Sequence, residues 1–154
     1  MKIIIFGATG SIGQSTLEVI RAQNTTNSVQ VLALTGNSNV EQLCRDAIEF
    51  GVKRVVTPNN KHLPFLRERL ASHGIDVCTG KESLLETAQM GADLIISAIV
   101  GFDGVPPTFE AVKYCKTVAI ANKESLVCAG KILIDKAREC GTVLLPVDSE
   151  HNAI

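Results

Sequence analysis

The segment Lys2-Ile3-Ile4-Ile5-Phe6-Gly7-Ala8-Thr9-Gly10-Ser11-Ile12-Gly13 constrains the fold more than any other part of the chain. An apolar, β-branched run of strand length enters a turn with glycines at 7, 10 and 13. An amphipathic helix follows, with Ile12, Thr16, Leu17 and Ile20 on one face. Glycine lets the backbone turn sharply and lets a ligand come close to bare amides. The helix start then offers unpaired N–H groups and a partial positive charge, a natural seat for a pyrophosphate. Together these parts read as the first half of a dinucleotide-binding βαβ unit. The spacing is GxxGxxG rather than the commoner GxGxxG, so a purely structural glycine-rich βα turn is the alternative.

The same alternation runs to the end of the chain. Apolar runs predict strands over 29–34, 54–57, 75–78, 94–99, 117–120 and 143–147. Helical periodicity falls over 40–50, 63–73, 81–90, 107–114 and 125–140, with Gly51, Gly74, Gly91 and Gly141 as terminators. Helices closed by glycine, and strands apolar on both faces, point to a doubly wound, mostly parallel α/β sheet. A chain of 154 residues, 45% hydrophobic, suffices for one such domain. The polar segment 23–28 reads as the loop into the second strand.

Several function classes are disfavoured. A net charge of −1 argues against a surface that coats nucleic acid. Five scattered cysteines, with no CxxC pair, fit free thiols in a reducing cytoplasm and not a disulfide framework or zinc site. No stretch approaches the roughly 20 apolar residues of a membrane span. The N-terminal apolar run is too short for a signal peptide.

In NAD-binding units an acid after the second strand bonds the adenosine ribose 2′-hydroxyl. Here Gly36-Asn37-Ser38-Asn39 contains no acid, and Glu41 already lies inside the next helix. A 2′-phosphate would therefore not be repelled, which favours NADPH. No Lys or Arg stands in that loop to pair the phosphate, however, and neutral donors bind it more weakly. Ser38 or Asn39 also suits the N-cap of the helix from Val40.

Two further stretches follow strands, at the end of the sheet where α/β proteins carry ligands. In Ala121-Asn122-Lys123-Glu124-Ser125 a lysine opposes the helix macrodipole, so it suits an anion or oxyanion contact. A solvated lysine beside an Asn122 or Ser125 cap is the plainer alternative. In Pro146-Val147-Asp148-Ser149-Glu150-His151-Asn152, extended backbone would put Asp148 and Glu150 on one face, about 6.5–7 Å apart. Such a pair could grip a hard divalent cation, or could be a strand end running into a polar loop. His151 acquires no definite role.

These motifs converge. Gly7-Ala8-Thr9-Gly10-Ser11-Ile12-Gly13, Ala98-Ile99-Val100-Gly101, Ala121-Asn122-Lys123-Glu124-Ser125-Leu126 and Leu145-Pro146-Val147-Asp148-Ser149-Glu150-His151-Asn152-Ala153-Ile154, in that order, closely resemble the 1-deoxy-D-xylulose 5-phosphate reductoisomerase family. The resemblance implies a Rossmann-like NADPH-binding domain over 1–154. It implies an enzyme that rearranges and reduces 1-deoxy-D-xylulose 5-phosphate to 2-C-methyl-D-erythritol 4-phosphate, with Mg²⁺, Mn²⁺ or Co²⁺, in non-mevalonate isoprenoid synthesis. Carried over by motif, Thr9, Gly10, Ser11 and Ile12, between Gly7 and Gly13, would hold the pyrophosphate. Gly36, Asn37, Ser38 and Asn39 would meet the adenosine end, and Asn122 and Glu124 the nicotinamide side. Lys123 and Glu150 would serve catalysis, Lys123, Ser149 and Glu150 the phosphorylated sugar, and Asp148 and Glu150 the metal. The family commonly carries Lys or Arg where this chain has Ser38. Its members continue into a catalytic domain with a lid and a third metal carboxylate, and the full-length protein would be a cytoplasmic homodimer. The glycine turn alone would also suit a homoserine or semialdehyde dehydrogenase, or a non-catalytic nucleotide-binding module. The first would not explain Asp148-Ser149-Glu150 following Asn122-Lys123-Glu124-Ser125, and the second has no need of the carboxylate pair.

Overall fold

A computed structural model describes residues 1–23 and 29–147. The loop expected over 23–28, past Gln23, and the segment 148–154 lie outside the described residues. The first half of the chain runs β1 (Lys2–Phe6), α1 (Ser11–Gln23), β2 (Gln30–Thr35), α2 (Val40–Phe50), β3 (Arg54–Thr57), α3 (Leu63–Leu70) and β4 (Asp76–Thr79). The second half runs α4 (Lys81–Ala88), β5 (Leu94–Ser97), α5 (Val105–Tyr114), β6 (Thr117–Ile120), α6 (Lys123–Cys140) and β7 (Val143–Pro146).

The seven strands form one parallel sheet in the order β4-β3-β2-β1-β5-β6-β7. The chain winds outward from β1 to β4, returns through α4, and winds outward again from β5. Side chains alternate across a strand, so β1 feeds both faces. Ile3 and Ile5 join Leu17, Leu43, Leu66 and Leu70 from α1, α2 and α3 in one buried layer. Ile4 and Phe6 join Ala88, Val112 and Leu133 from α4, α5 and α6 in the other. Burying each large aliphatic or aromatic side chain contributes about 1.5–3 kcal/mol, which commits β1 to the centre.

The doubly wound reading holds, and the corrections are local. Helix α6 begins at Lys123 and not at 125, because Asn122 is its N-cap, its Oδ1 accepting from Ser125 N at 2.7 Å. Helix α5 begins at Val105, two residues before the expected start, since prolines at its first positions need no helical N–H acceptor. The helix expected over 63–73 is α-helical only to Leu70, and Ala71–His73 tightens into a 3₁₀ turn closed by Gly74. Strand β5 ends at Ser97, so residues 98 and 99 leave the sheet. No helix among the described residues is long and apolar enough to cross a membrane.

Candidate functional site

The glycine turn is pinned from three sides. Gly7 N donates to Thr35 Oγ1 at 2.9 Å, and Ala8 N donates to Thr35 O at 2.8 Å. Gln14 Nε2 donates to Ala8 O at 2.9 Å and to the buried Asp46 carboxylate at 2.7 Å. Asp46 accepts further bonds from Gln42 Nε2 at 2.9 Å and Arg21 Nη2 at 3.0 Å, which ties the turn to α2. Gly7 has φ +81°, and a Cβ there would stand 2.5 Å from Ala98 O. A Cβ on Gly13 would overlap Gly7 O and the backbone of Ala8. Gly10 differs. It is exposed, its φ is not in the left-handed region, and a Cβ would meet only Gly7 O, at an ordinary 3.4 Å. The fold therefore does not require glycine at 10, and the bare backbone there leaves room for a close ligand. Helix α1 starts at the next residue with no acid in its first turn, so no side chain of that turn supplies an anion to its leading amides.

Above this turn lies a cleft of about 340 Å³. It opens at the carboxyl ends of the strands, where the winding reverses between β1 and β5. Crevices at that switch point are where open α/β sheets bind their ligands. Gly7, Thr9 and Gly10 line it, together with Gly36, Asn37 and Ser38 after β2. Gly36 fits tightly, since a Cβ would lie 3.2 Å from the Thr9 side chain and 3.3 Å from Leu43 Cδ2. Asn39 is the cap of α2, its Oδ1 accepting from Gln42 N at 3.2 Å, while Ser38 is left to the cleft. Ser11, Ile12 and Gly13 form the first turn of α1 just beyond the lining.

Pro58, Leu84, Leu85, Pro106 and Pro107 give the cleft apolar walls that sequence reasoning did not assign. Lys81 and Asp103 also line it, and Lys81 Nζ lies 2.9 Å from Asp103 Oδ1. Lys81 is the first residue of α4, where a cation opposes the macrodipole. Lys81 thus opposes a helix dipole just as Lys123 does at the start of α6. Both partners are 76% exposed, so the pair stabilises the fold very little.

The Asn122–Ser125 segment supports the cleft and does not line it. Asn122 is 2% exposed, and its Nδ2 donates to Ile99 O at 2.6 Å and Gly101 O at 2.9 Å. Its Oδ1 accepts from Ser125 N and Ser125 Oγ, so its side-chain donors and acceptor are all engaged. Thr108 Oγ1 donates to Gly104 O at 2.6 Å and pairs with Ser97 Oγ, which closes a buried polar network beneath the 99–104 segment. Lys123 is exposed and Glu124 half-buried at the start of α6. Val147 N bonds Ile120 O at 2.9 Å, so the chain leaves β7 beside the strand that leads to Lys123. Asp148, Ser149 and Glu150 lie outside the described residues. Among the described residues no three His, Cys, Asp or Glu side chains group as a metal site.

The family model for 1-deoxy-D-xylulose 5-phosphate reductoisomerase matches residues 3–130. The reductoisomerase of Ruegeria sp. (strain TM1040) is 48% identical over 153 residues, which is 99% of this chain and 38% of that relative. The chain therefore spans well under half the length of such relatives. Among solved structures, the Zymomonas mobilis reductoisomerase in complex with NADPH is 47% identical with a TM-score of 0.92, covering 99% of this chain and 40% of the other. A reductoisomerase complex with NADPH, fosmidomycin and magnesium is 38% identical with a TM-score of 0.90, over 99% of this chain and 38% of the other.

Proposed function

The chain belongs to the 1-deoxy-D-xylulose 5-phosphate reductoisomerase family, and from that premise we propose that residues 1–154 form the NADPH-binding domain of such an enzyme. The observation that carries this reading is Gly10, a glycine that no φ and no neighbour enforces, set at an acid-free helix start in the switch-point cleft. When bound, NADPH supplies the hydride that reduces the rearranged sugar phosphate. Thr9, Ser11 and Ile12 would hold the pyrophosphate through backbone amides, with Gly10, whose N donates to Gly7 O, leaving room for it, and Gly36, Asn37 and Ser38 would face the adenosine ribose. Asn122 fixes Ile99 and Gly101 and, with Glu124, stands toward the nicotinamide end. Lys123 adds positive charge at substrate oxygens, which stabilises negative charge developing there.

In the longer enzyme the activity is conversion of 1-deoxy-D-xylulose 5-phosphate to 2-C-methyl-D-erythritol 4-phosphate. Asp148 and Glu150 are proposed for the divalent ion (Mg²⁺, Mn²⁺ or Co²⁺), and Ser149 with Glu150 for the substrate. Carboxylate oxygens suit such hard cations, which act on carbonyl and hydroxyl oxygens as Lewis acids.

Calorimetric titration of the 154-residue chain tests the cofactor reading. NADPH is expected to bind, and to bind more tightly than NADH. Equal affinities would remove the phosphorylated cofactor from the proposal, and absence of binding by both would remove the nucleotide.

A further inference from the structure

The loop after β2 presents a nucleotide phosphate with Asn37 and Ser38 and no cation. The cleft nevertheless contains one. Among the described residues that line it, Lys81 and Asp103 carry the only charged side chains, and they are paired with each other. We propose that Lys81, from α4, is the cationic partner of the 2′-phosphate of NADPH and so sets the preference for the phosphorylated cofactor, with Asp103 holding the lysine until the nucleotide arrives. This inference rests on the cofactor reading above and adds a specificity-determining residue to it.

Three observations bear on Lys81. It shares one cleft with Ser38 and Gly36, while the pyrophosphate seat at Gly10 is already served by amides of α1. The apolar residues Pro58, Leu84 and Leu85 line the cleft as well, a surface on which an adenine can rest. The fold itself gains little from the lysine, because it begins a helix whose dipole disfavours it and its ion pair is 76% exposed on both sides. An ion pair this open is exchanged at small cost for a doubly charged phosphate. Asp103 then becomes a negative group near the bound phosphate, so it moderates the affinity that Lys81 creates.

The test is titration of the wild-type chain, Lys81→Gln and Asp103→Asn with NADPH and with NADH. Loss of a charge-assisted bond predicts that Lys81→Gln weakens NADPH by about tenfold or more and leaves NADH nearly unchanged. Asp103→Asn is expected to tighten NADPH. Both positions are exposed, so circular dichroism of each variant should match the wild type. Equal weakening of both nucleotides by Lys81→Gln, or no weakening of NADPH, overturns the assignment to the 2′-phosphate. Weaker NADPH binding by Asp103→Asn overturns the role given to Asp103. A wild-type chain that binds neither nucleotide overturns the cofactor reading itself, a result distinct from all of these.

Discussion

Gly7, Gly10 and Gly13 share one turn and differ in what enforces them. At Gly7 a positive φ and the Ala98 carbonyl exclude a side chain, and at Gly13 the backbone of residues 7 and 8 does so. At Gly10 only open space is at stake. The three positions should therefore separate stability from binding. Gly13→Ala is expected to cost about 1–3 kcal/mol in denaturant unfolding, the usual range for overpacking a close contact. Gly10→Val should stay within about 1 kcal/mol of wild type, yet weaken NADPH and NADH together by occupying the pyrophosphate seat. If Gly10→Val bound both nucleotides normally, Gly10 would have no ligand to make room for.

At the scale of elements, what the sequence made legible was local. Helix α2 runs over the expected residues because Asn39 caps one end and Gly51, in the left-handed conformation, closes the other. The start of α6 was misplaced because Asn122 and Ser125 both suit a cap, and only the fold shows that Asn122 also grips the carbonyls of Ile99 and Gly101. Lys81 and Asp103 escaped notice for a related reason. They lie 22 residues apart, and nothing in local periodicity says that α4 and the turn before α5 meet. The Gly36–Ser38 side of the cleft was readable, because strand, loop and helix are consecutive there. The clamp by Asn122 gives a prediction at this scale. Asn122→Ala removes the cap of α6 and takes its side-chain donor from the part-buried Ile99 carbonyl, while Gly101 O keeps Gly104 N, which should cost about 1–3 kcal/mol. It should also weaken cofactor binding, since Ile99 and Val100 line the cleft. Unchanged stability in thermal or denaturant unfolding would show that the network is dispensable.

For the molecule as a whole, the residues after β1, β2 and β5 line one cleft, while the described residues hold no cluster of three metal-ligating side chains. The 154-residue chain spans 38% of the Ruegeria relative, and under the proposed function it is expected to bind NADPH without turning over 1-deoxy-D-xylulose 5-phosphate. NADPH oxidation followed by absorbance, with substrate and Mn²⁺ present, checks this. Turnover in the usual enzyme range of about 1–10³ s⁻¹ would show that these residues suffice for catalysis. The central place of β1 has a different consequence, for how the chain matures as it is made. Strand β1 is synthesised before either strand it pairs with: β2 follows soon, but its other edge waits for β5, and Lys2 N bonds an Asp93 oxygen 91 residues away. Until α5 and α6 emerge, Ile4, Phe6 and Leu32 lack most of the layer that covers them. At about 5–20 residues per second that apolar face stays open for roughly 5–25 s on the ribosome, a window for chaperone capture or misassociation that β1 itself cannot shorten.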